Sequence, residues 1–84
     1  MFITHKDNRI EVEQIKSVHT SCGYNIYLFR ICPNMSVAFV NSYIVAVKDF
    51  NCTTVQFKYI PRFSEYKSLK IAIEYYMDYL LMYC

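Results

Sequence analysis

The sequence predicts an α+β domain: an antiparallel β-sheet of four to seven short strands, a meander or a small barrel-like sheet, followed by one C-terminal α-helix. Three observations predict it. Turn-forming residues recur every eight to ten positions through the first sixty residues, which is the spacing of short antiparallel strands. Between these turns apolar residues alternate or run continuously rather than recurring at a helical period. After Pro61 the period changes to that of a helix.

Residues 2–5 form the first expected strand, and Lys6, Asp7 and Asn8 the first turn, because Asp and Asn tolerate the left-handed backbone of tight turns. In 10–13, Ile10 and Val12 alternate with Glu11 and Glu13, the pattern of a strand with one wet face. The phase then slips. Ile15 and Val18 fit neither period, which places a bulge, a bend or a single helical turn near Gln14 and Ile15. After a turn at Cys22, Gly23, Tyr24 and Asn25, segment 24–32 is the clearest strand, with Ile26, Leu28 and Cys32 on one face and Tyr27, Phe29 and Ile31 on the other.

Segment 35–48 reads as a hairpin about Asn41 and Ser42, setting Val40 opposite Tyr43, Phe39 opposite Ile44, Ala38 opposite Val45 and Val37 opposite Ala46. Both of its faces are apolar, and a sheet apolar on both faces must be covered on both. One helix covers one face. The other needs either curvature of the sheet or a second molecule. After a turn at Asp49, Phe50 and Asn51, segment 54–60 is the last strand, with Val55, Phe57 and Tyr59 against Gln56 and Lys58.

Pro61 ends the strand. Ser64 is a suitable N-cap and Glu65 complements the positive end of the helix dipole in the first turn. The helix is expected to run to about Met82, with Leu69, Ala72, Tyr76 and Leu80 on the sheet and Lys67, Lys70, Glu74 and Asp78 as a narrow polar stripe. That leaves Ile71, Tyr75, Tyr79 and Met82 as a surplus apolar flank. It is the expected self-association surface, most simply of a twofold dimer.

Composition bounds the function. A chain of 84 residues is one domain, β-rich over 1–60 and helical over 64–83. Its apolar share of 55% exceeds the usual ~45–50%, and its nine tyrosines are of the residue type that interfaces favour. A net charge of +2 is too small to argue for nucleic acid by itself. No apolar leader region follows Met1, and no run of about 20 apolar residues exists, so neither export nor a membrane span is expected and the expected compartment is the cytoplasm. Cys22, Cys32, Cys52 and Cys84 are then expected as reduced thiols, two or three of them half-buried. Richness in Ile, Lys, Asn, Tyr and Phe with a single Gly suggests AT-rich coding, as in many short phage and viral proteins.

The chemistry-bearing residues form no recognised constellation. His19 and Cys22 stand at half of a zinc-knuckle spacing, with His5, Cys32 and Cys52 elsewhere, but a zinc site needs paired halves. Cys22 with His19, and Asn25 as orienting group, is the minimum of a nucleophilic pair, without an oxyanion site. Glu11 with Glu13, and Glu74 with Asp78, read as solvated faces rather than acid–base pairs. Gly23 is the single glycine, so there is no phosphate-cradling loop. Neither catalysis nor a metal or other cofactor is expected.

The most specific local signal is 58–70, where Lys58, Arg62, Lys67 and Lys70 interleave with Tyr59, Phe63 and Tyr66 at a helix N-terminus. Cations among aromatics suit an acidic protein surface, and they also suit single-stranded nucleic acid. The sequence-level expectation is therefore a non-catalytic protein-binding module, a small inhibitor or regulator that occupies a partner's surface and forms a homodimer. The alternative is a small nucleic-acid-binding protein that uses the 58–70 corner.

Overall fold

The computed structural model describes residues 1–32, 41–61 and 65–84. Five antiparallel strands, β1 (Phe2–His5), β2 (Asn8–His19), β3 (Asn25–Ile31), β4 (Tyr43–Lys48) and β5 (Thr54–Ile60), form one sheet in chain order, followed by a helix, α1 (Glu65–Met82). The fold is the expected α+β meander with one C-terminal helix.

Local chemistry accounts for the joints. Lys6 and Asp7 both take positive φ (50° and 66°), and His5 pairs with Asn8, so β1 and β2 are joined by a two-residue turn whose twist matches the strands. Between β2 and β3, Gly23 sits at φ 89°, a conformation that L side chains rarely adopt, and Thr20 Oγ1 accepts from Tyr24 N at 3.1 Å. Between β4 and β5, Asp49 Oδ1 accepts from Asn51 N at 2.9 Å and from Thr53 N at 3.0 Å.

The phase slip at Ile15 is a bulge. Gln14 pairs with Phe29 and Lys16 with Leu28, leaving Ile15 as the extra residue. The bulge switches faces. Ile10 and Val12 pack with one core cluster, whereas Val18, which unbroken alternation would put on the same side, packs with the other. The strand expected over 10–13 thus continues through the bulge as one twelve-residue strand serving both faces.

The hairpin expected about Asn41 and Ser42 is corrected. Its first arm, 35–40, lies outside the described residues. Its second arm is β4, and both edges of β4 are taken: Tyr43 pairs with Arg30 of β3 and with Ile60 of β5, and Ile44 with Phe29 and Tyr59. The positions assigned to Val37, Ala38, Phe39 and Val40 are therefore held by β3 and β5. The two-sided apolar pattern has the physical consequence expected of it, because β4 is a fully flanked inner strand, buried from Tyr43 to Val47.

Each face of the sheet carries its own core. On one, Ile26, Leu28, Tyr43, Val45, Val47 and Ile60 meet Ala72, Tyr76 and Tyr79 of α1. On the other, Val12, Phe29, Ile31, Ile44 and Ala46 are buried with Ile3, Ile10, Tyr27 and Phe57 against them. The sheet curls around this second core. Flat, five strands at ~4.8 Å spacing would hold β1 and β5 about 19 Å apart. Instead the ring of His5 on β1 stacks on Phe57 of β5, centroids 3.7 Å apart and planes within 1°. The sheet is a curled meander, its two edge strands brought together by side chains without pairing to each other.

The axis of α1 is also corrected. Ser68, Ala72, Tyr76 and Tyr79 are its buried residues, while Leu69 and Leu80 are half-buried beside them. At 100° per residue, that rotates the helix by about 50° from the expected orientation. Two small residues allow the close approach, and the Ser68 hydroxyl is satisfied by donating to Pro61 O at 3.4 Å. Burial pushes the phenols of Tyr76 and Tyr79 above their ordinary pKa, with Tyr75, Tyr83 and Asp78 adding to the effect at Tyr79. The expected cap, Ser64, lies outside the described residues.

A stability prediction follows from two buried serines. Ser42 Oγ is buried without a hydrogen-bond partner among the described residues, whereas Ser68 Oγ has Pro61 O. Leaving a buried hydroxyl unpaired costs about 1–3 kcal/mol. In urea denaturation, Ser42→Ala is expected to match or exceed the wild-type stability, and Ser68→Ala to lose about 1 kcal/mol. A clear loss on Ser42→Ala would contradict this assignment.

Candidate functional site

The rotation of α1 decides which residues are left for function. The flank expected to self-associate is largely absorbed into the fold. Tyr79 is 9% exposed and belongs to the core, and Ile71 and Tyr75 are half-buried against it. An aromatic ladder runs along this side: Tyr75 to Tyr79 at 6.3 Å, Tyr79 to Tyr83 at 6.4 Å, and Tyr83 to Tyr24 of the β2–β3 loop at 4.7 Å. Tilted ring pairs at such distances add to simple burial, so these tyrosines seam helix to sheet. Of the four, only Met82 stands fully exposed.

The basic corner divides. Lys58 and Tyr59 lie with Ile60, Pro61, Ile71 and Tyr75 around a small groove of about 210 Å³, where Lys58 Nζ sits 5.2 Å above the Tyr75 ring. Tyr66 and Lys70 lie on the outer side of α1, around a separate open groove of about 540 Å³ with Leu69, Ile73 and Glu74. Lys67 is exposed on the same helix. Arg62 and Phe63 lie outside the described residues.

What the structure adds is the outer face of α1. Tyr66 (87% exposed), Ile73 (40%), Met77 (53%) and Leu81 (81%) stand in solvent on the side away from the sheet. With half-buried Leu69, the series Leu69, Ile73, Met77, Leu81 is an unbroken row at four-residue spacing, the ridge that helices use when they pack on one another. Lys67, Lys70, Glu74 and Asp78 border it on one flank. The four-residue apolar spacing was the available signal. It was missed because Leu69 was assigned to the sheet and Ile73, Met77 and Leu81 were assigned to no face.

His19 and Glu13 have structural partners. His19 Nδ1 lies 2.9 Å from Asn25 Oδ1, its cross-strand neighbour where the connecting loop leaves β2 and enters β3, while Cys22 stands exposed in that loop. Glu13 pairs with Arg30 across the same two strands. No group of three or more His, Cys, Asp and Glu side chains is placed to hold a metal ion among the described residues. Among those residues, too, no helix is long and apolar enough to cross a membrane. Comparison with known proteins finds no matching family, no matching curated protein and no matching solved structure.

The cysteines are free thiols, but more open than expected: Cys22, Cys52 and Cys84 are exposed and Cys32 alone is half-buried. Titration of the native protein with a thiol reagent is expected to show three fast groups and one slow one. Fewer than three fast groups, or native disulfides, would contradict that placement.

Proposed function

We propose that this protein is a non-catalytic protein-binding module, a small inhibitor or regulator that acts by covering a partner's surface, and that it binds through the outer face of α1. The observation that carries the reading is the exposed ridge of Ile73, Met77 and Leu81 with Tyr66 beside it. Both faces of the sheet hold buried cores, and among the described residues neither core includes Ile73, Met77 or Leu81. Soluble proteins keep such apolar patches chiefly where something binds them. Tyr and Met are also residues that recognition surfaces favour, Tyr as a rigid amphipathic anchor and Met as an adaptable one. Among the described residues the basic corner divides between two sides of the helix, and this favours the reading over nucleic acid, which needs cations and stacking rings along one track.

Affinity capture from the native cell, read by quantitative mass spectrometry, tests it. Wild type and Lys58→Glu are expected to capture the same protein partner, and Met77→Glu to lose it. Capture is expected to persist from 50 to 200 mM salt, a range over which binding through six to ten phosphate contacts falls by about 10³–10⁵. Capture indifferent to Met77→Glu, or lost on modest salt, would overturn the assignment.

A further inference from the structure

We infer that the occupant of the outer face of α1 is a second copy of this chain, packed antiparallel about a twofold axis that passes beside Ile73. The inference rests on the reading of that face as a binding surface, and it goes further by naming what binds there.

The charge order on the flank of the ridge carries it. Lys67 and Lys70 lie in the N-terminal half of the face, and Glu74 and Asp78 in the C-terminal half. A parallel pair of helices would set lysine on lysine and carboxylate on carboxylate. An antiparallel pair about a twofold axis reverses the order, so that each Lys70 meets Glu74 of the second copy, and the contact occurs twice. A surface that binds its own copy must be complementary to itself in this way.

The apolar residues demand the same register. With the axis at Ile73 and a rise of ~1.5 Å per residue, Leu69 lies level with Met77 of the second copy, and Tyr66 within about 1.5 Å of the level of Leu81. In that register Lys70 and Glu74 of the second copy differ by about 3 Å along the axis, within reach of a lysine side chain. One axis position therefore satisfies both the ridge and the charges. The product is a sheet–helix–helix–sheet stack, in which α1 gains the second apolar layer that its outer face lacks. One helix face is small beside the ~800 Å² per partner of a standard interface, so the dimer is reversible and concentration-dependent.

Sedimentation equilibrium on the full chain from ~10 µM to ~1 mM tests the geometry, with circular dichroism to confirm that each variant is folded. Wild type is expected to move from monomer towards dimer mass across the range, and Met77→Glu to stay monomeric. Lys70→Glu is expected to raise the dissociation constant about tenfold, because it turns two attractive pairs into repulsive ones. Lys70→Glu combined with Glu74→Lys is expected to return it to near the wild-type value. A wild type monomeric at 1 mM, a dimer unaffected by Met77→Glu, or a double variant no better than the single would each overturn the proposal. If the wild type is monomeric and Met77→Glu still abolishes capture of a different protein, the second copy is excluded while the binding face stands.

Discussion

Everything in this fold answers to the strand Tyr43–Lys48, whose two faces are both apolar. Tyr43, Val45 and Val47 point to one side and Ile44 and Ala46 to the other, and all five are buried. A fully buried aliphatic side chain contributes about 1.5–3 kcal/mol, so exposing either face would forfeit several such contributions in a chain too small to spare them. The strand must therefore sit inside the sheet, with cover above and below. α1 covers one side. The curl of the sheet serves the other, bringing His5 of one edge strand onto Phe57 of the opposite edge strand.

The devices that let the sheet curl are local and specific. The bulge at Ile15 raises the twist of β2 and moves its apolar side chains from one core to the other midway along the strand. A second register shift lies between Val47 and Lys48, where Val55 is the extra residue on β5. The helix then docks by its small residues. Ser68 and Ala72 bring its backbone close to the sheet, and the tyrosines at 75, 79 and 83 wedge along one side. Because these tyrosines are spent on the fold, the apolar residues left over are those on the far side of the helix. The exposed apolar ridge is a consequence of how the core was closed.

Much of this was legible in the sequence, and the failures have physical causes. Alternation and turn residues located the strands, and a broken alternation located the bulge, because both are properties of a few adjacent residues. The neighbours of β4 were not legible as a hairpin, because pairing with β3 and β5 depends on contacts between distant segments that no local pattern encodes. The two-faced apolar pattern still told correctly that both sides must be covered. The helix orientation was misjudged by half a residue step because Leu69 and Leu80 were set on the sheet, Tyr79 was counted as surplus and Ser68 was given no place in the core. A serine whose hydroxyl bonds a nearby carbonyl packs as a small residue, and a tyrosine with ring neighbours packs as a large one. The tyrosine flank was therefore expected to be free, whereas Tyr79 is in the core with Ile71 and Tyr75 packed against it.

A curled sheet, rather than a flat one, houses the second core. The most direct measurement is the proton–proton contact between the rings of His5 and Phe57 by nuclear Overhauser spectroscopy. With the rings stacked 3.7 Å apart, the account predicts strong inter-ring cross-peaks and upfield ring-current shifts for the His5 ring protons. Absence of those cross-peaks, with His5 at its free-peptide shifts, would contradict it and return the sheet to an open form whose second apolar face needs another molecule to cover it.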